Sequence, residues 1–343
     1  MGIDSGCMVG DPGLLVIADA YIKGICGFDE KKAYEIAKAS SRRAEFLAGK
    51  PFKSFYPNFR QYSDNAYIPE KLSETLEFLL ADFAMYKFAD KLGCKSDAEY
   101  YLSRVKKYKE NYNIEFGFMA PRNANGEFMQ VEDEYSEIGC VESNIFQQSW
   151  FAPYDVMGLS ELFGKERMID LLERLFDKAD FSALWNINYN HSNEPCHNLT
   201  HYFNILGKPN RTQYWTRRVQ REAYRTGAEG FCGNEDVGQL SGWYVLSALG
   251  FAQICPGRDI YEINTPLFKK AEIKLDKRYH SCNVSDRFVI ECDKDPLENA
   301  YISSIKLNDV ELNRTYLTYS EITNGGKVCF NLSNEPNGDM QQN

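Results

Sequence analysis

Three stretches of this sequence place carboxyl and amide side chains where they interrupt helical patterning instead of decorating a solvated face. The first runs Gly139-Cys140-Val141-Glu142-Ser143-Asn144-Ile145-Phe146-Gln147-Gln148-Ser149-Trp150, and Glu142 is the one charged side chain between Gly139 and Tyr154. If this stretch is helical, four-residue spacing sets Glu142, Phe146 and Trp150 on one face. An acid beside aromatic rings is desolvated, which raises its pKa and suits it to donate a proton. The plainer reading is a glutamate that caps a helix.

The second stretch is Asn193-Glu194-Pro195-Cys196-His197-Asn198. Pro195 removes a backbone donor and disfavours helix at Glu194, so a loop of oxygen-bearing side chains and free carbonyls is expected. Such a set suits a hard cation such as calcium, whereas one His without partner Cys or His residues does not suit zinc. An ordinary polar turn would use the same residues. The third stretch is Gly230-Phe231-Cys232-Gly233-Asn234-Glu235-Asp236-Val237-Gly238-Gln239, followed by the apolar run Leu240–Gly250. Asp236 is expected at the start of that helix, where the macrodipole keeps a carboxylate ionised and therefore available as a base; a simple capping Asp is the alternative. Two acids in opposite environments, one neutral and one charged, are what glycoside hydrolysis requires.

These residues must be positioned by the surrounding elements. From about residue 13 to 250 the apolar period is near 3.6, with breaks at Gly, Pro or Asn clusters, and predicts helices over Leu14–Lys23, Glu30–Glu45, Leu72–Leu92, Asp97–Asn111, Gly158–Phe163, Lys165–Ala179, Asn210–Arg225 and Asp236–Gly250. Short connections imply antiparallel helical hairpins in a bundle or toroid. After Pro256 the texture changes to short alternating runs, Ile260–Asn264, Ala271–Leu275, Arg287–Glu291, Ile302–Leu307 and Lys327–Phe330, which predict a small β domain. The polar stretch from Ser333 to Asn343 is expected to fray.

Composition limits the partners. The chain has 343 residues, 43% of them hydrophobic, enough for a large domain and a smaller one. A net charge of −10 is opposite in sign to the footprint of a nucleic-acid binder. The opening residues lack the pattern of a signal peptide and no uncharged apolar run is long enough to cross a bilayer, so neither a membrane partner nor an export signal is expected. The ten cysteines are scattered without a CxxC pair and are expected as free thiols.

At the same three stretches the sequence resembles glycoside hydrolase family 92, the calcium-dependent inverting α-mannosidases. GFCGNEDVGQLSGWYVLSALGF followed by CPGRDIYEINTPLF carries the resemblance furthest, with NEPCH, GKPNRTQYW, ESNIFQQSWFAPYD and the opening CMVGDPG in the same order. The resemblance implies a mainly α fold with a C-terminal β part. Residues 1–255 would form an (α/α)6 toroid catalytic domain lacking its N-terminal helices, 256–335 a small β-sandwich-like domain, and 336–343 a disordered tail. It implies Glu142 as general acid, Asp236 as general base, and Gln147, Asn193, Glu194 and His197 as substrate contacts. Calcium would be held by Glu194 and Asn234, so the two loops should converge, and would bind the mannose 2- and 3-hydroxyls. The implied reaction is exo-hydrolysis of α-1,2-type mannosides of N-glycans or mannans, with a periplasmic or secreted location.

The sequence also departs from the family pattern: Asn198 and Thr200 stand where a His and a Pro are usual, Tyr154 replaces a frequent His, and Asn234 replaces a second acid. Family members begin with a β-sandwich and earlier helices, so a fragment without turnover of its own, completed by a separately encoded N-terminal half, is the alternative expectation. A glucosidase or polysaccharide lyase on the same toroid is a further one, disfavoured by the acid pair.

Overall fold

The computed structural model describes residues 9–42, 62, 64–280 and 284–337. Cys7, Cys282, the start of CMVGDPG, residues 43–45 of the second predicted helix and the tail beyond Asn337 lie outside them. The described residues fall into two compact units: those within 1–22, 27–155 and 256–258, and those within 23–26, 156–255 and 259–343.

The first unit is organised by α3 (Leu72–Leu92), whose 21 residues are apolar on nearly every side because neighbours cover it all round. Helices α1 (Pro12–Ile22), α2 (Glu30–Ser41) and α4 (Lys95–Val105) complete the bundle. Ala18, Ala37, Ala81, Ala84, Ala89 and Ala98 let the helices approach closely, while Leu14, Tyr34, Met85, Phe88 and Tyr101 fill the space between them. Each large apolar side chain so buried contributes about 1.5–3 kcal/mol. Gly93, at φ +82, ends α3 in the left-handed conformation that its missing Cβ permits. Beyond a 3₁₀ turn, β1 (Tyr112–Asn113) and β2 (Phe118–Met119) form a short ribbon that leads to α5 (Ile145–Gln148). The buried Asp82 carboxylate accepts from Arg104 Nε at 2.8 Å and from the Tyr62 hydroxyl at 2.6 Å, so no charge is left uncompensated.

The second unit carries α6 (Val156–Phe163), α7 (Lys165–Asp177), α8 (Leu199–Ile205), α9 (Pro209–Glu222), α10 (Gln239–Leu249) and α11 (Tyr319–Thr323). Its strands are β3 (Phe251–Ala252), β4 (Ile260–Ile263), β5 (Lys270–Lys274), β6 (Arg287–Cys292), β7 (Tyr301–Leu307), β8 (Val310–Glu311), β9 (Tyr316–Thr318) and β10 (Gly326–Ser333). They form a five-stranded sheet in the order β5-β6-β10-β7-β8 and a three-stranded sheet in the order β3-β4-β9. β10 is parallel to β6 and antiparallel to β7. Alternation along β10 puts Val328, Phe330 and Leu332 into a core with Phe288, Ile290, Ile305 and Leu317.

The fold class is therefore the one expected, mainly α with a C-terminal β part. The helix predicted at Asp236–Gly250 starts instead at Gln239, and the one predicted at Asn210–Arg225 ends at Glu222. The described cysteines are free thiols. Among the described residues no helix is long and apolar enough to cross a membrane.

Candidate active site

Glu142 sits in a turn of the first unit, at φ +51, and its side chain is exposed. Helix α5 begins only at Ile145, so Glu142 does not share a helix face with Phe146 and Trp150. Those two rings meet each other at 6.2 Å in the buried core, and they do not desolvate the carboxyl as the sequence suggested. The turn is fixed from several sides. Gly139, at φ +74, lies so close to Pro121 and the Glu70 carbonyl that a Cβ would come within 2.8 and 2.9 Å of them. Ser73 Oγ accepts the Val141 N–H at 3.0 Å and donates to Gln148 Oε1 at 2.9 Å, and Ser143 Oγ donates to the same oxygen at 3.0 Å. Gln147 is buried and closes a capping box with Asn144: its N–H donates to Asn144 Oδ1 and its Oε1 accepts the Asn144 N–H. Five polar groups thus hold a left-handed, non-glycine residue, a conformation that costs energy and that proteins keep mainly where it serves a site.

In the second unit the Asn193–His197 loop and the Asn234–Gln239 turn are brought together. Gly233 is packed against Ser192 so tightly that a Cβ on it would lie 2.5 Å from Ser192 Cβ. Asn193 caps the 3₁₀ turn Glu194–Cys196, its Oδ1 accepting the Glu194 N–H at 3.1 Å, with Pro195 in the first turn where no donor is needed. The turn leaves Glu194 half-buried.

The centre of this region is a chain of buried aromatic and imidazole groups whose proton positions follow from their partners. The Tyr224 hydroxyl donates to the Leu240 carbonyl at 3.0 Å, so its oxygen accepts from His191 Nε2–H at 2.8 Å, and His191 Nδ1 accepts from the Tyr189 hydroxyl at 2.8 Å. His197 Nε2 faces the His191 carbonyl at 2.8 Å and must donate to it. Its Nδ1 therefore carries a lone pair, which accepts from Gln239 Nε2 at 3.1 Å. Both ring nitrogens of His197 are thus engaged within the protein. Burial pushes His197 down to about 4, a shift that the His191 carbonyl and the Asp236 charge offset only in part. Burial, reinforced by His197, holds His191 well below the ordinary histidine range.

Asp236 is exposed, at φ +52, with Val237 at φ +57 beside it. It does not start α10, and the macrodipole argument belongs to its neighbour. Glu235 accepts the Gly238 N–H at 2.7 Å, the Ser241 N–H at 3.3 Å and the Ser241 hydroxyl at 2.5 Å. These bonds, led by the Ser241 hydroxyl, hold the Glu235 carboxyl below its usual range. Sequence reading passed over Glu235, Gln239, His191 and Trp243. The signal for two of them was present: Gln239 and Trp243 stand four apart on α10 and grip His197 together, one through its ring and the other through its carbonyl at 3.0 Å.

Among the described residues no group of three or more His, Cys, Asp or Glu side chains is arranged to hold a metal ion. Glu194 and Asn234 offer oxygen donors on two loops that touch, fewer than the six to eight that calcium takes. Their chemistry, a carboxylate and a side-chain amide oxygen, is of the hard-oxygen kind that calcium accepts.

The glycosyl hydrolase family 92 catalytic domain matches residues 1–334 of this chain. The solved structure of the family GH92 α-mannosidase BT3965 from Bacteroides thetaiotaomicron superposes with a TM-score of 0.84 at 28% identity, over 96% of this chain and 43% of that one. Its complex with mannoimidazole gives 0.85 at 27%, over 96% and 44%. The family GH92 inverting mannosidase BT2199 from Bacteroides thetaiotaomicron VPI-5482 gives 0.85 at 30%, over 98% and 47%. The chain thus spans less than half the length of these solved relatives. No curated protein sequence matches it.

Proposed function

Because this chain belongs to glycosyl hydrolase family 92, we propose that it serves the hydrolysis of α-mannosidic linkages with inversion, as an exo-acting enzyme on α-1,2-type linkages of N-glycans or mannans. The observation that carries the assignment of roles is that Glu142 and Asp236, singled out from sequence as acid and base, are both held in the left-handed region, which non-glycine residues seldom occupy.

In this reading the protonated Glu142 carboxyl donates to the departing glycosidic oxygen while the bond from that oxygen to the anomeric carbon breaks. The ionised Asp236 takes a proton from the water that attacks the opposite face of the same carbon, and the configuration inverts. Asn193 and Glu194 are assigned to the sugar-binding surface, while the buried Gln147 and His197 would serve binding through the groups they orient, Asn144 and Gln239. Calcium, held by Glu194 and Asn234, would supply a positive point for mannose hydroxyls and favour a flattened ring. Residues 1–255 would be the catalytic, toroid-forming part and 256–335 the C-terminal β domain. A periplasmic or secreted location is proposed with this substrate class.

The test is release of mannose from α-1,2-mannobiose by the purified protein with calcium, followed by NMR of the first anomer formed. β-Mannose is expected from an inverting enzyme. Initial α-mannose would reject the mechanism. No release, also when the front half of a homologous enzyme is supplied in trans, would reject the activity; release only with that addition would establish the need for a separate N-terminal half.

A further inference from the structure

We infer that Gln239 is a substrate-contacting residue whose side-chain carbonyl oxygen accepts a hydrogen bond from a sugar hydroxyl, with His197 as the positioning residue that aims it, a role that rests on the mannosidase reading above. A carboxamide has a donor end and an acceptor end of nearly the same shape, so its orientation is set by what faces it. Here the deciding group lies two hydrogen bonds away: the His191 carbonyl can only accept, so the His197 ring, kept neutral by burial, carries its proton on Nε2 and a lone pair on Nδ1. Gln239 must then turn its –NH₂ toward the ring, where Nε2 lies 3.1 Å from Nδ1. Its carbonyl oxygen points the other way and has no hydrogen-bond partner among the described residues, although the side chain is exposed.

Gln239 is also tied to the Asp236 turn, because its backbone N–H donates to the Asp236 carbonyl at 3.2 Å. The acceptor is therefore rigidly placed three residues along from the proposed base. The class of ligand follows from charge: an amide oxygen on a turn that also carries the exposed Asp236 carboxylate disfavours phosphates and carboxylates and favours a neutral hydroxyl donor. A preoriented acceptor binds such a donor without first paying to order a flexible side chain.

The test compares wild-type protein with Gln239→Met, which keeps the length and removes the acceptor, and with Gln239→Glu. Because Gln239 is exposed, unchanged circular dichroism and melting are expected for both. For aryl α-mannoside hydrolysis, Gln239→Met should raise KM about ten-fold with kcat little changed, the sign of a contact made equally in ground and transition states. In ¹⁵N NMR, wild-type His197 should carry its proton on Nε2. Gln239→Glu places a second acceptor against Nδ1, so His197 should take up a proton there and titrate at higher pH. A wild-type KM in Gln239→Met, on a protein that hydrolyses mannosides, overturns the contact; a proton on Nδ1 in wild type overturns the orientation. If wild type hydrolyses no mannoside, the mannosidase reading fails separately. Mannose titration then decides the contact: weaker binding to Gln239→Met supports it, and equal or absent binding rejects it.

Discussion

The Glu235 carboxylate accepts the Gly238 amide at 2.7 Å, so the acid that serves the start of α10 is Glu235, while the adjacent Asp236 is exposed at φ +52 with no hydrogen bond holding its carboxylate to that helix. The two neighbours should therefore respond oppositely to substitution. Asp236→Asn keeps a residue type that tolerates the left-handed region, so melting should be unchanged while kcat falls by roughly 10²–10⁴-fold. Glu235→Ala should lower the melting temperature, because the Gly238 and Ser241 amides at the start of α10 lose their acceptor. Thermal unfolding beside mannose release separates the two, and equal activity losses with no stability difference would contradict the division of labour.

Glu142 is tested by the leaving group. Glu142→Gln should depress hydrolysis of mannobiose by roughly 10²–10⁴-fold but far less for a dinitrophenyl α-mannoside, whose departing oxygen needs no proton. A uniform loss on both substrates would assign Glu142 a structural role.

Calcium dependence should be reversible. A chelator is expected to abolish turnover, excess calcium to restore it, and Glu194→Gln to raise the calcium concentration required. Full activity in the chelator would remove calcium from the mechanism.

Gly233 should tolerate no side chain, since a Cβ would lie 2.5 Å from Ser192 Cβ and 3.1 Å from its Cα. Gly233→Ala is expected to push the two loops apart and raise KM, and Ser192→Gly in the same protein to recover part of the loss. Kinetics of the single and double variants measure this coupling.

The buried histidines set an acid limit on folding. His197 and His201 are both pushed by burial to about 4 in the folded protein, against about 6.5 when unfolded. Between those values the unfolded chain binds protons that the folded chain refuses. Stability is thus fully present above pH 6.5, falls as pH drops toward 4, and levels below it, each histidine withdrawing on the order of 3 kcal/mol. Urea unfolding across this range should show the fall, and His201→Gln should make it shallower. A flat profile would mean that these side chains are charged, or solvated, in the folded state.

How much of this was legible in the sequence differs between elements for a physical reason. Leu72–Leu92 was read to the residue because a long run rich in apolar and helix-forming residues states a buried helix through its own composition, and Gly93 marks its end. The strands of the C-terminal part were read from alternation, and the pairing of β10 parallel to β6 was not, because register joins segments far apart in sequence. Motif residues identified the family, and with it Glu142, Glu194 and Asp236 as candidates. What tertiary structure alone decided was how those residues are held. The turn at Glu142 is left-handed because Gly139 is pressed on Pro121 and because Ser73, remote in sequence, and Gln148, just beyond the turn, hold its flanks. The Asp236 turn follows a Gly233 pressed on Ser192, and the proton on His197 is dictated by a carbonyl six residues earlier. Local sequence encodes local periodicity; backbone strain, amide orientation and tautomer are set by the groups that packing brings opposite, and those appear only once the chain is folded.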